Sequence, residues 1–217
     1  MGCDIHAHIE YYDKNASKHP VAKKLRATPF SCNIQLGRNY PMFSILAGVR
    51  GMTNPVASPR GLPYDPPISL DVKNHYYARV VETEQEKHHT YNRLYGGVVY
   101  TKAEADEFLA DGLSTAHPTD NCLIKNPAWH TASYLYVDEL IQARRLYLYN
   151  SLQYNSDIQG ERYKNAIDIL DKTSNVELMK HVFGDIESVG LNAAIASMIV
   201  IERSGNYTTR FVFWFDS

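Results

Sequence analysis

The sequence predicts an α+β fold in which a small central β-sheet holds the first and last strands, several helices pack on one face and long loops cover the other. Polar and apolar residues alternate over residues 3–10, and residues 208–216 form an aromatic and β-branched run. Between them, residues 138–204 carry apolar positions at helical spacing. A last strand this apolar must be paired, because an exposed edge would promote aggregation, and the first strand is its obvious neighbour.

Length and composition describe an ordinary globular protein. We expect residues 1–217 to form one domain, with residues 70–125 as a candidate insertion or subdomain. A net charge of -2 argues against binding of duplex nucleic acid. The three cysteines are widely spaced and include no CxxC pair, which indicates a reducing, cytoplasmic compartment. No apolar run reaches membrane-spanning length, so we expect no membrane partner.

The first strand carries the most chemical information. Strand alternation puts its titratable residues on one face, and these are Asp4, His6, His8 and Glu10. Such a row is costly to bury unless each member has a partner, a metal or a ligand. An edge strand with its polar face in water is the alternative interpretation.

Two further segments bring candidate ligand-binding residues. Asn39, Pro41 and Gly48 mark the cap, first turn and end of an apolar helix, whose start lies beside Arg38. The loop over residues 49–69 is rich in proline and glycine and carries Arg50 and Arg60. Rigid backbone of this kind either positions those arginines for binding or only packs over the core.

The middle of the chain is less clearly patterned. Residues 70–95 show no firm period, whereas residues 98–100 form a short strand and Thr101 and Glu104 match a capping box. His88 is expected at the surface, since the His88-His89 pair lacks ligand spacing.

Helices dominate the region that follows. We predict a helix of about three turns after Asp138 and a second helix with its apolar stripe ending at Leu170. A third begins with Ser174 and Glu177 as a capping box, and a last helix continues through residues 198–201.

Four motifs resemble those of a known family. Residues 1–6 (MGCDIH), 37–50 (GRNYPMFSILAGVR), 60–63 (RGLP) and 213–216 (FWFD) together are similar to a family of uncharacterised bacteriophage and bacterial proteins. The resemblance covers most of the chain and brings no activity with it. It implies a phage setting, such as nucleotide or host-defence biology, in the host cytoplasm.

Together these segments predict one site. The catalytic candidates are Asp4, His6 and His130, with a metal set of Asp4, His6 and His8 as the alternative use of the strand. The ligand- or phosphate-binding candidates are Arg38, Asn39, Tyr40, Arg50, Arg60 and Ser133. The sequence leaves the cofactor open, with a divalent metal as the candidate, and it leaves homo-oligomer formation open too.

Three functions are compatible with this site. The preferred one is a phosphodiesterase-like hydrolase of a small phosphorylated or nucleotide ligand, for example a phage enzyme that degrades a cyclic nucleotide immune signal. The second is a protein that sequesters such a nucleotide without turnover. The third is a structural or host-factor-binding protein in which Asp4, Arg38 and Arg60 form a buried ion-pair network.

Overall fold

The computed structural model confirms the α+β class. It describes residues 4–14, 30–36, 39–49, 54–63, 68–91, 98–111, 115–116, 122–125, 128–159, 161–178 and 189–216. In chain order the elements are β1 (Ile5–Asp13), β2 (Phe30–Gln35), α1 (Tyr40–Ala47), α2 (Leu70–Tyr76), β3 (Tyr77–Val81), α3 (Glu84–Tyr91), β4 (Val98–Thr101), α4 (Lys102–Ala110), β5 (Thr115–Ala116), β6 (Cys122–Ile124), β7 (His130–Leu135), α5 (Val137–Gln159), α6 (Glu161–Lys172), α7 (Asn175–Leu178), α8 (Val189–Arg203) and β8 (Tyr207–Phe215).

The first sheet joins the two ends of the chain. Its strand order is β2-β1-β8-β7, and all its neighbours are antiparallel. In the β1/β8 ladder, Ile5 lies opposite Phe215 and Glu10 opposite Arg210. The predicted pairing of the first and last strands is therefore confirmed, and both strands are interior strands of the sheet.

The main hydrophobic core covers one face of this sheet. Alternate residues of β1 and β8 supply its floor, namely Ile5, Ala7, Ile9, Phe211, Phe213 and Phe215. Helices α1, α5 and α8 pack over that floor. All six side chains are buried, so the apolar positions of the alternating sequence pattern are the ones that face the core.

The other face of the sheet is covered by a helix as well as by loops. Val72 and Tyr76 of α2 pack against Val212 and Trp214 of β8, and Leu62 joins this cluster from the preceding loop. The prediction assigned this face to loops alone. The sequence of residues 70–76 does not indicate a helix, because Leu70, Val72 and Tyr76 are interspersed with charged and polar residues over only two turns.

A second, mixed sheet lies entirely within residues 70–125, the segment predicted as an insertion. Its order is β4-β3-β6-β5, with β3 and β4 parallel and the other neighbours antiparallel. A small core of its own contains Ala78, Val80, Ala105 and Leu123. The strand at residues 98–100 and the Thr101–Glu104 capping box are both confirmed.

Helix α1 follows its sequence signals. The Asn39 side chain accepts a hydrogen bond from the Met42 amide at 3.1 Å, Pro41 lies in the first turn, and Gly48 ends the helix with φ of 69°. Asn39 also donates to the Tyr147 hydroxyl of α5 at 3.2 Å. The cap therefore positions the helix against its neighbour as well as starting it.

The later helices are confirmed, but α5 is longer than predicted. It has 23 residues and begins at Val137, so Asp138 lies in the first turn and is not the cap. Two arginines in its first half hold the segments that follow: Arg144 donates to the Leu178 carbonyl and Arg145 to the Leu170 carbonyl, each at 2.6 Å.

Two strands of the first sheet, β2 and β7, were not predicted, and neither were β3, β5 and β6 of the second sheet. β2 follows residues 15–29, which lie outside the described residues. In β7 the register against β8 shifts between His130 and Ser133, and Thr131 between them has φ of 52°. A bulge of this kind breaks the two-residue alternation by which a strand is recognised. Separately, none of the helices in the described ranges combines the length and hydropathy needed to cross a membrane.

The Gly48→Ala substitution should destabilise the fold more than Gly205→Ala. Both glycines have positive φ, which costs an alanine about 1 kcal/mol or more. A Cβ at position 48 would also lie 3.3 Å from Cδ of Pro55, whereas one at position 205 meets no atom of the described residues within 4 Å. We expect the additional cost at position 48 to be about 1 kcal/mol, measured by urea unfolding. Equal losses for the two variants would show that the Pro55 contact relaxes freely.

Candidate functional site

The polar face of the first sheet lies opposite the main core. On β1 it carries His6, His8 and Glu10, and their cross-strand partners on β8 are Trp214, Val212 and Arg210. His8 is 4% exposed and Glu10 is 0% exposed. The wet-edge alternative is therefore wrong for this strand, and the buried polar groups need partners.

A buried ion pair supplies the partner for Glu10. The Glu10 carboxylate and the Arg210 guanidinium lie directly opposite each other, and Oε2 accepts from Nε and from Nη2 at 2.6 Å each. The guanidinium also lies over the Tyr12 ring, 5.4 Å from its centroid. Since neither charge reaches water, removing one partner leaves the other buried and uncompensated.

The same carboxylate anchors α2 to the sheet. Oε1 of Glu10 accepts from the backbone amide of Ser69 at 2.5 Å. Ser69 is the N-cap of α2, and its hydroxyl accepts from the Val72 amide. A single side chain thus holds β8 with one oxygen and the start of α2 with the other. This anchor places the last turn of α2 beside the histidines of β1.

The result is a histidine cluster, formed by His6, His8 and His75. Nε2 of His8 lies 3.1 Å from Nδ1 of His75, and the ring centroids of His6 and His75 are 5.6 Å apart. Trp214 forms the floor of the cluster: the His6 and His8 rings are nearly parallel to it, and His75 meets it edge-on at 5.1 Å. Trp129 lies 5.4 Å from His6 and 5.7 Å from His75, measured between ring centroids.

Burial controls the charge of this cluster. It lowers the pKa of His8 to about 4, with the neighbouring His75 adding to the effect. Burial also lowers the pKa of His75, helped by His6 and by Lys125, whose ammonium donates to the carbonyl of Asn74. At neutral pH His8 and His75 are therefore neutral imidazoles, each with one N–H and one lone pair.

His6 is the accessible member of the cluster. Its side chain is 25% exposed, and its Nε2 lies 2.9 Å from Oδ2 of Asp216. Oδ1 of Asp216 accepts from the backbone amide of Asp4 at 2.6 Å, which fixes the carboxylate in place. A carboxylate can only accept, so in the neutral ring Nε2 carries the proton and Nδ1 the lone pair.

Asp4 therefore contributes differently from the prediction. Asp4 lies just before β1, and its backbone amide orients Asp216, which is the carboxylate that holds His6. The predicted metal set of Asp4, His6 and His8 is not found as such: within the described ranges, no three His, Cys, Asp or Glu side chains are arranged to hold a metal ion.

His130 and Ser133 lie away from the histidine cluster. Their cross-strand partners are Phe215 and Phe213, which belong to the main core, so the register puts both residues on the face opposite His6. Nδ1 of His130 lies 2.8 Å from the Thr131 hydroxyl, and the buried Ser133 hydroxyl accepts from the Arg60 amide at 3.0 Å. The structure thus does not bring His130 and His6 together as the sequence suggested.

The predicted ligand-binding residues are also dispersed. The Arg60 guanidinium forms a two-point ion pair with Glu139 and lies over the Tyr134 ring. Asn39 caps α1, and Tyr40 is exposed on its first turn. Arg38 and Arg50 lie outside the described residues, so their predicted role stays a prediction, and the ion-pair network with Asp4 and Arg38 does too.

Sequence reasoning missed His75, Trp129, Trp214 and Asp216 as site residues. The signal for Asp216 was present, because pairing of the first and last strands brings residue 216 to Asp4 and His6. Trp214 could be inferred from the same pairing. His75 had no such signal, since its position depends on the contact between Glu10 and Ser69.

Replacing one member of the buried ion pair should cost more than replacing both. Arg210→Met leaves the Glu10 carboxylate buried and unpaired, and we expect a loss of about 3–5 kcal/mol in urea unfolding. Glu10→Gln with Arg210→Met removes both charges and keeps an acceptor for the Ser69 amide, so the double variant should recover a large part of that loss. A double variant as unstable as the sum of the single variants would contradict this account.

Acidification should destabilise the protein through His8. The folded-state pKa of about 4 lies below the ordinary value of 6.5, so between these values only the unfolded chain takes up the proton. Stability is therefore complete above pH 6.5 and falls as the pH drops towards 4, by about 2 kcal/mol between pH 7 and 5.

The test compares urea unfolding of the unsubstituted protein and His8→Gln at pH 7 and pH 5. The variant removes the titrating ring, so its stability should fall by about 2 kcal/mol less over this range. Identical pH dependence in the two proteins would show that His8 does not titrate as proposed.

Comparisons with protein-family models, with curated proteins and with solved structures find no match for this chain. The resemblance to phage and bacterial proteins therefore stays a prediction from the motifs, and the site is interpreted from its own geometry.

Proposed function

We propose that the protein is a hydrolase that uses His6 as a general base against a small phosphorylated ligand, with nucleotide phosphodiesters as the first class to test. The observation that carries the proposal is the hydrogen bond between His6 Nε2 and Asp216 Oδ2 at 2.9 Å on a partly exposed imidazole. A carboxylate that orients an imidazole is the arrangement by which many hydrolases activate water or a hydroxyl.

The proposed step uses Nδ1 of His6, which carries the lone pair because Nε2 donates its N–H to the Asp216 carboxylate. Nδ1 of His6 takes a proton from water while the water oxygen bonds to phosphorus. The bond from phosphorus to the leaving oxygen breaks, and that oxygen departs with the electron pair and takes a proton from solvent. The imidazolium of His6 then returns its extra proton to water, which restores the neutral ring.

An anionic ligand is favoured by the surroundings of the cluster. His75 and the ammonium of Lys125 lie close enough that the cation lowers the pKa of the imidazole. A cation beside the imidazole of His75 is an environment that attracts phosphate. Arg60 does not add to the positive charge at the cluster, because its guanidinium is already paired with Glu139.

A binding protein that sequesters its ligand is the second candidate, and the aromatic side chains favour it. Trp129 is partly exposed and lies beside His6, so a planar base has a ring to stack on. Sequestration needs this stacking and no activated base. Product analysis separates the two functions.

The test is incubation with cyclic mononucleotides, cyclic dinucleotides, linear dinucleotides and bis(p-nitrophenyl) phosphate, with products identified by mass spectrometry. His6→Asn should lower the hydrolysis rate by about 10²-fold or more, because it removes the base. His88→Asn is the matched control, since His88 is exposed on α3 outside the cluster. Full recovery of every nucleotide, or equal rates for His6→Asn and the unsubstituted protein, would eliminate the hydrolase.

A further inference from the structure

The contact between His8 and His75 has only two arrangements when both rings are neutral. Either His8 donates from Nε2 to Nδ1 of His75, or His75 donates from Nδ1 to Nε2 of His8 across the 3.1 Å separation. The remaining nitrogen of each ring then has the opposite character. The choice between the two therefore decides what His75 offers to a ligand.

The buried nitrogen of His8 makes this choice. Among the residues that the structure describes, none is a hydrogen-bond partner of Nδ1 of His8, and the residue is 4% exposed. If His75 were the donor, Nδ1 of His8 would carry an unpaired N–H in the interior. Buried N–H groups without partners are rarer in proteins than buried acceptors without partners. The favoured arrangement has the His8 proton on Nε2, shared with His75.

We propose that His75 is the hydrogen-bond donor of this site, held by His8 in the tautomer with its proton on Nε2, and that it binds an oxygen of the anionic ligand. This inference rests on the proposed function and adds a ligand-binding residue and a positioning residue to it. His75 is partly exposed and its ring centroid lies 5.6 Å from that of His6, so one phosphoryl group can contact both rings.

The two accessible imidazoles then have complementary roles. His6 offers a lone pair at Nδ1, because Asp216 accepts from its Nε2, and His75 offers an N–H at Nε2, because His8 donates to its Nδ1. Burial lowers the pKa of His75, which keeps the ring neutral near pH 7. A neutral donor cannot release its proton without forming an imidazolate, so His75 stabilises oxygen charge and transfers no proton.

The test uses the full chain with ¹⁵N-labelled histidine and inorganic phosphate as the probe. Long-range ¹H–¹⁵N correlations at pH 7.5 report which nitrogen of His75 is protonated. We expect the proton on Nε2 in the unsubstituted protein and in His8→Gln, whose amide can still donate, and a mixture of tautomers in His8→Leu. Phosphate should shift the Nε2 resonance of His75.

Affinity for phosphate is the second readout. His75→Phe should weaken phosphate binding about tenfold or more, and His75→Gln, which keeps a donor, should retain part of the affinity. His88→Asn should bind phosphate like the unsubstituted protein. If His8→Leu does not fold, the His75→Phe and His75→Gln pair and the His75 tautomer of the unsubstituted protein still decide the question.

The proposal is overturned if His75 carries its proton on Nδ1, if phosphate does not bind, or if His75→Phe binds phosphate as tightly as the unsubstituted protein. These outcomes are separate from a failure of the proposed hydrolase, which is detected by unchanged nucleotides and by the His6→Asn rate. A non-hydrolytic protein with the Nε2 tautomer and phosphate binding at His75 would keep this inference and point to sequestration.

Discussion

The buried ion pair between Glu10 and Arg210 is the interaction on which the arrangement of the site depends. It joins the first and last strands at the middle of the sheet, where neither charge reaches water. Because one carboxylate oxygen serves Arg210 and the other serves Ser69, the pair also fixes where α2 begins. An apolar pair of similar volume would serve stability as well, but it could not accept from the cap of a helix.

That anchor also determines what His8 contacts, two residues before Glu10 on the same face of β1. Because α2 is held at its N-terminus, His75 contacts His8, and both rings pack against the Trp214 ring. The site is therefore assembled from four parts of the chain that are distant in sequence, and its histidines differ in burial. The buried ring is kept neutral, and the outer ring of His6 is oriented by Asp216. Different surroundings give one residue type different roles.

The arginines and His130, which suggested phosphate chemistry in the sequence, have other contacts where they are described. Arg60 pairs with Glu139, and His130 lies on the core face beside Phe215. Spacing along the chain cannot show such assignments, because a bulge at Thr131 and an ion pair across a loop both depend on neighbours far away in sequence. The predicted alternation of polar and apolar side chains along β1 is confirmed, whereas Arg60, His130 and Ser133 do not converge on its polar face.

The sequence by itself determined the α+β class, the pairing of the end strands, and the start and end of α1. These features follow from strand alternation, from β-branched and aromatic content and from helix caps, all of which depend on residues that are close in sequence. It also determined that His6 and His8 share a face. Only the tertiary structure decided that α2 covers that face and that Asp216 and His75 are their partners. Those contacts join residues that are separated by 67 and by 210 positions in the sequence. Such pairings depend on which charges are buried and on how the elements pack together, and no local pattern encodes them.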